Sequence, residues 1–404
     1  MNSRCRAIEE ERGIVGIHKT LQSKKIRNSN VELVRLLAMV MIVLNHTPWA
    51  NCLYVDPNIG YIRRWGTTLT VSFLSNWGGV GDCLFFIISA WFLCEENQSL
   101  KRNIARCWHL EKQLWFWSIT LFVGCLVAWH MQGGMPGIKT LTSLGVKTVF
   151  PLATNLWWYP TSYVLFLLIC PLLTQGLQLL TRERHATLCI GLLLIFGWMP
   201  ESIFPLDMKY SIILFVYLYI LICFIKWHIP SMCKSRLYAY HFIVVGSGIA
   251  LTSQALVQCM SPNKIMGHMW MNSPRCISSI CIALGIVIIA TTSKAHHSQT
   301  INYVASSTLA VYLVCTHQFI KLALRPVMQY IQPGAGGVVK VLMVALSIYT
   351  AALSVDMMRH WVFGWLVDRN VGCQNAWIIG KLERIRNYGI QVIERLDEKL
   401  LNGV

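Results

Sequence analysis

The sequence predicts an all-α, polytopic integral membrane bundle of about ten transmembrane helices with both termini in the cytoplasm, and three observations carry that prediction. Of the 404 residues, 55% are hydrophobic and only 13% are charged, whereas a soluble domain carries about a quarter of its residues as charges. Mean hydropathy is positive. The apolar residues also arrive in blocks long enough for an α-helix to cross a hydrocarbon core of about 30 Å.

The blocks lie at residues 31–48, 70–94, 113–131, 157–180, 186–200, 210–227, 239–257, 275–292, 303–322 and 339–358, the fifth being the shortest. Residues 1–30 precede them as a polar, basic segment with Arg4, Arg6, Arg12, Lys19, Lys24, Lys25 and Arg27. No small-residue cleavage site follows an apolar core there, so this segment reads as a cytoplasmic arm and not as a signal peptide. Lysine and arginine are concentrated in the arm and in alternate interhelical segments, which by the positive-inside rule places both termini in the cytoplasm of a multi-pass cell-membrane protein. The expected organisation is therefore a basic arm (1–30), a transmembrane domain (31–358) and a cytoplasmic tail (359–404). In that tail Leu382, Ile385, Val392, Ile393, Leu396 and Leu400 repeat at helical spacing among Lys381, Arg384, Arg386 and Arg395. Such a stripe suits a helix lying on the inner leaflet, with a partner-docking face as the alternative. The absence of an internal repeat disfavours an inverted-repeat transporter.

The formal charge of +17 does not point to nucleic acid, because the basic residues sit between apolar blocks where membrane topology requires them. Most of the 15 cysteines, such as Cys125, Cys170, Cys189, Cys223 and Cys281, lie inside apolar blocks and read as small hydrophobes. No Cys/His set has metal-ligand spacing, so no metal is expected. His296-His297 falls in a polar loop, where a solvated role is expected.

The first block breaks the apolar pattern. It holds Glu32, Arg35 and His46, and a charge in such a helix costs about 2.5–3.5 kcal/mol on insertion scales, so these groups are expected to face a bundle interior or a wet cavity. Ten residues separate Arg35 from His46, which puts both on one helix face about 16 Å apart along the axis. Glu32 stands one turn from Arg35, within pairing distance. A structural account also exists: Arg35 snorkelling to phosphates with Glu32 as partner, and His46 at an interfacial helix end before Pro48.

An acid, then Arg, ten residues and His in the opening helix resembles the signature of the membrane-bound acyltransferase type 3 family, whose members are glycan O-acyltransferase-like proteins of about ten helices. Gly79-Val-Gly-Asp-Cys-Leu-Phe-Phe-Ile-Ile-Ser-Ala-Trp-Phe-Leu93 is similar to that family's second-helix motif, with Asp82, Phe85, Phe86 and Ser89 matching, Cys83 inserted and Ala90 replacing a glycine. Lys101, Arg102 and Arg106 resemble the basic run that follows it. Asn155-Leu-Trp-Trp-Tyr159 resembles the opening of the fourth helix, with Asn155 in a histidine's place, and Ser306 to His317 resembles the late helix in which Tyr312 and His317 match. The similarity spans roughly residues 29 to 360.

The resemblance implies transfer of an acyl group, acetyl being the expected one, from cytoplasmic acyl-CoA to a hydroxyl of an extracytoplasmic glycan. That chemistry needs a base for the hydroxyl proton, stabilisation of an oxyanion and a grip on the donor. Histidine titrates near working pH, so His46 is the expected general base, with Asn45 or Asp82 orienting it. The planar fork of Arg35 suits the anionic donor or the reaction centre, with Glu32 fixing its side chain. Ser89 is expected to support the site, and Arg102, Arg106, Trp157, Trp158, Tyr312 and His317 to contact donor or acceptor. Trp157 and Trp158 also suit an aromatic belt, and His317 an interfacial position. An acylated histidine or a second carrier remains an open route. A transporter or flippase for a sugar-containing substrate, with Glu32, Arg35 and His46 as a proton relay, is the alternative class.

Overall fold

The computed structural model describes residues 27–47, 77–131, 133–134, 136–198, 211–260, 273–329, 335–366 and 371–401. The arm predicted at residues 1–30 lies outside the described residues up to residue 26, as does Pro48. The described residues are 86% helical, with no strand among them. Four helices are long and apolar enough to cross a membrane by length and composition: Ser29–His46, Leu100–Met131, Trp158–Gln178 and Val339–Gly364; Trp77–Leu93, Ile212–His228 and Ile277–Thr292 are shorter apolar helices.

In chain order the helices are α1 (Ser29–His46), α2 (Trp77–Leu93), α3 (Leu100–Met131), α4 (Ile138–Val149), α5 (Trp158–Gln178), α6 (Arg182–Leu192, continued by a π turn at Leu193–Trp198), α7 (Ile212–His228), α8 (Pro230–Lys234), α9 (Arg236–Met260), α10 (Ile277–Thr292), α11 (Gln299–Ser306), α12 (Thr308–Thr316), α13 (Gln318–Gln329), α14 (Ala335–Leu366) and α15 (Val371–Leu401). Three differ instructively from the apolar blocks. Helix α3 begins thirteen residues before its block, because the basic stretch from Leu100 is made of good helix formers that hydropathy alone does not register. Block 303–322 is three helices, broken at Ser307 and His317. At the first break Ser306 Oγ donates to Tyr303 O at 2.6 Å and Thr308 Oγ1 to Ala305 O at 2.8 Å, the local bonding by which such side chains compete with a helix. Helix α14 runs to Leu366, beyond the boundary expected at 358.

Contacts between helix ends fix the packing. Ser29 N donates to His296 O at 2.8 Å, Asn30 Nδ2 to Lys294 O at 2.9 Å and Ser29 Oγ to Asn302 Oδ1 at 2.9 Å, tying the start of α1 to the α10–α11 connection. On the same end of the bundle Lys226 pairs with Glu95 at 2.7 Å and stands over the Trp91 ring at 4.4 Å, joining the ends of α7 and α2. There too Arg236 at the start of α9 reaches Thr292 O at the end of α10. The exposed pair Lys101–Glu383, at 2.6 Å, holds α15 against the start of α3, and the ammonium keeps the Glu383 carboxyl below the usual carboxylate range.

Two sequence features explain the tightest packing. A Cβ at Gly81 would lie 2.7 Å from the Ala38 carbonyl oxygen, so α1 and α2 approach backbone to backbone there. Pro171, inside α5, has no N–H to give the carbonyl four residues back. That acceptor is Leu167 O, and the fully buried Asn103 of α3 donates Nδ2 to it at 2.8 Å.

Two stability predictions follow from this packing. Gly81→Val is expected to lower stability by about 1–3 kcal/mol through overpacking, measured as thermal unfolding in detergent. Asn103→Leu leaves the Leu167 carbonyl without its donor and should cost about 1–3 kcal/mol, whereas Gln318→Leu, at an exposed position, should leave the melting temperature unchanged.

Candidate functional site

The two faces of α1 separate lipid-type from site-type residues. Leu33, Leu37 and Val40 are its exposed large apolar residues, and together they make one stripe at about 100° per residue. Arg35 and His46 project from the opposite side of the same unbroken helix, both partly buried. Neither ionisable group therefore points the way the apolar stripe does. Arg35 Nη1 lies 3.1 Å from both carboxylate oxygens of Glu32, whose side chain is 7% exposed against 30% for that of Arg35.

The facing wall is built by α2, α5 and α12. On α2, Asp82, Phe85 and Ser89 share a face at i, i+3 and i+7; Phe85 and Ser89 keep accessible surface while residues 86, 87, 88 and 90 are buried. Phe86 turns the other way and stacks on Phe215 at 4.2 Å between ring centres, with Phe166 edge-on at 5.2 Å. Tyr159 and Tyr163 of α5, one turn apart, stack at 6.5 Å, and Phe85 meets Tyr159 edge-on at 5.6 Å. The charges acting on Tyr159 are Asp82 and Arg35; those acting on Tyr163 are Arg106 and Arg35, with Ser89 as its hydrogen-bonding neighbour. Asp82 acts also on Tyr312, whose ring is 5.7 Å from that of Tyr159, and on Cys315. The structure thus brings Glu32, Arg35, Asp82, Ser89, Arg106 and Tyr312 around Tyr159, which the sequence reading named only within the Asn155–Tyr159 motif, and Tyr163, which it did not name. Their i, i+4 spacing, two hydroxyls on one face of an apolar helix, was the available signal.

At the other end of α1 the charged side chain acting on His46 is Lys321 of α13, which acts on Cys315 as well. Lys321 was also missed; its position one turn after His317 was the clue, and its backbone N–H bonds His317 O at 3.2 Å. His317 ends α12 in extended conformation, is buried, and accepts from Phe319 N at Nδ1 over 3.3 Å, which leaves the ring proton to Nε2. Asn45 is exposed and its side chain backs onto Gly78.

Trp157 differs from the aromatic-belt expectation. It is buried, donates Nε1 to Leu313 O at 3.0 Å and has its ring 5.8 Å from His317, so it braces α5 against α12. Trp158 is half-buried against Tyr159 and Phe215. Asn155, at the turn before them, has φ of +51°, a left-handed conformation that Asn tolerates better than most residues. On the basic segment Arg102 and Arg106 both engage Glu96, at 3.7 and 2.7 Å, and Arg106 also donates to Asn103 Oδ1 at 3.1 Å. Arg106 is the more buried of the two and turns toward Tyr163, while Arg102 is exposed.

No curated protein and no solved structure gives a significant match to the chain. A family model described as an acyltransferase domain matches residues 28–356, from the cap of α1 to the buried acid of α14. That match takes in the Arg35/His46 helix and the tyrosine wall facing it, and the chain accordingly belongs to the acyltransferase type 3 family, a family of membrane acyltransferases.

Proposed function

We propose that the chain crosses the cell membrane about ten times with both termini in the cytoplasm. There it moves an acyl group, acetyl being the expected one, from cytoplasmic acyl-CoA to a hydroxyl of an extracytoplasmic glycan. One observation carries this reading: Arg35 and His46 share the non-lipid face of a single continuous helix, and Asp82 and three tyrosines stand among the groups facing that side. The roughly 16 Å between the two side chains along the axis is comparable to the reach of an extended pantetheine arm.

In this mechanism His46 accepts the proton of the acceptor hydroxyl as the oxygen attacks the thioester carbonyl. The oxyanion collapses, the C–S bond breaks, and the departing thiolate takes the proton back from the imidazolium. Lys321, the cation acting on His46, stands beside the reaction centre. Arg35, held by Glu32, presents its remaining donors to the anionic donor or the reaction centre. Arg102 and Arg106 attract the donor's phosphates, Ser89 and Tyr163 line its route, and Tyr312, Trp157 and His317 shape the acceptor end.

Acetyl-CoA labelled in the acetyl group, supplied to membranes carrying the chain, should pass label to glycan; movement of the sugar without label would identify a transporter instead. His46→Ala should reduce transfer by about 10²–10⁴-fold, the usual share of a general base, with unchanged membrane insertion on a protease-protection gel. Arg35→Lys keeps the charge but loses the fork, so donor affinity measured by calorimetry should fall about tenfold; a normal dissociation constant would remove the fork from the mechanism.

A further inference from the structure

Helix α15 carries two chemically opposite faces. At about 100° per residue, Leu382, Ile385, Tyr388, Val392 and Ile393 fall within an arc of about 140°. All five are exposed, Ile385, Tyr388 and Ile393 at 65%, 70% and 67%. Gly380, Glu383, Asn387 and Glu394 occupy the opposite side. Arg384 and Arg395 run along one border of the apolar arc and Arg386 along the other, with Lys381 inside its edge. Ile379, half-buried, and Ile390 are the apolar residues of this stretch that fall outside the arc.

Tertiary structure decides which of the two faces meets protein. The Lys101–Glu383 pair, at 2.6 Å, reaches α15 from its polar side, so the apolar arc points away from α3. Lys101 stands two residues before Asn103, which is fully buried and bonded to α5, so this clasp sits at the end of the bundle itself. A contiguous row of large apolar side chains over three turns is more than a water-facing helix leaves exposed. The arginines bordering it keep their charge: Arg384 Nε donates to Gly380 O at 3.3 Å, and Arg386 Nε and Nη2 donate to Asn387 Oδ1 at 3.3 and 3.2 Å, all neutral oxygens.

We infer that α15 lies on an acidic lipid surface at the end of the bundle where α3 begins, with its apolar arc at acyl-chain depth and Arg384, Arg386 and Arg395 against lipid phosphates. An apolar face bordered by cations on both sides, with its acids turned to the back, complements an anionic headgroup layer. A second copy fits it poorly. Two such arcs face to face would set arginine borders against each other, where paired helices need opposite charges. Through Lys101 the same helix holds against that surface the stretch of α3 that carries Arg102 and Arg106. The assignment rests on the chain being embedded in a bilayer, and it is independent of the acyl-transfer reading.

The test is photo-crosslinking of the full chain in proteoliposomes of equal phosphatidylglycerol and phosphatidylcholine, with p-benzoylphenylalanine in place of Tyr388 or of Asn387 and adducts identified by mass spectrometry. The Tyr388 position should capture lipid at least about tenfold more than the Asn387 position, which lies on the opposite face. Phosphatidylglycerol adducts should exceed phosphatidylcholine adducts about fivefold, the effect of a single arginine at an anionic surface. Arg384→Gln combined with Arg395→Gln, both at exposed positions, should bring that ratio toward parity. Equal capture from both faces, a lipid ratio that the double variant leaves unchanged, or an adduct joining Tyr388 to a second copy or to another protein would overturn the assignment. Transfer of labelled acetyl is read separately, so either reading can fail without the other.

Discussion

The constraint on which the structure depends is that a guanidinium and an imidazole in an apolar helix cannot face hydrocarbon. Helix α1 resolves it by splitting its surface: leucines and a valine on one side, Arg35 and His46 on the other. Glu32 gives Arg35 a partner within the same helix, so the charge is compensated before any tertiary contact forms. The remaining helices are then required to supply a polar interior against that second face.

They supply it with phenols more than with charges. Tyr159, Tyr163 and Tyr312 combine large apolar rings with one polar tip, so the wall opposite α1 packs while still presenting hydroxyls near Asp82 and Ser89. The rings of Phe86, Phe166 and Phe215 lie behind that wall and hold α2, α5 and α7 together. Packing and chemistry are therefore divided between adjacent residues of the same helix. Phe85 and Phe86 of α2 show it most plainly, one on the accessible face and the other fully buried.

Polar groups outside that interior serve the fold. Asn103 replaces the donor that Pro171 lacks, Lys226 lays its charge between Glu95 and the Trp91 ring, and Trp157 ties α5 to α12 through the Leu313 carbonyl. Each satisfies a buried group whose isolation would be costly. The cluster around Asp356, which accepts from Trp117 and Arg359, has the same internal completeness.

Composition and block length were enough to establish a helical membrane protein, because hydropathy and helix length are properties of local sequence. The spacing of Glu32, Arg35 and His46 likewise placed them on one helix, since 3.6 residues per turn holds wherever the helix is unbroken. Where it is broken the sequence misled: the apolar run at 303–322 concealed two interruptions made by Ser307 and His317, and block 113–131 concealed a polar helical extension. Tertiary structure alone decided that Lys321 acts on His46, that Tyr159 and Tyr163 face Arg35, and that Trp157 is an internal brace. These are meetings between residues tens to hundreds of positions apart, and a one-dimensional periodicity records which face a side chain takes but not what packs against it.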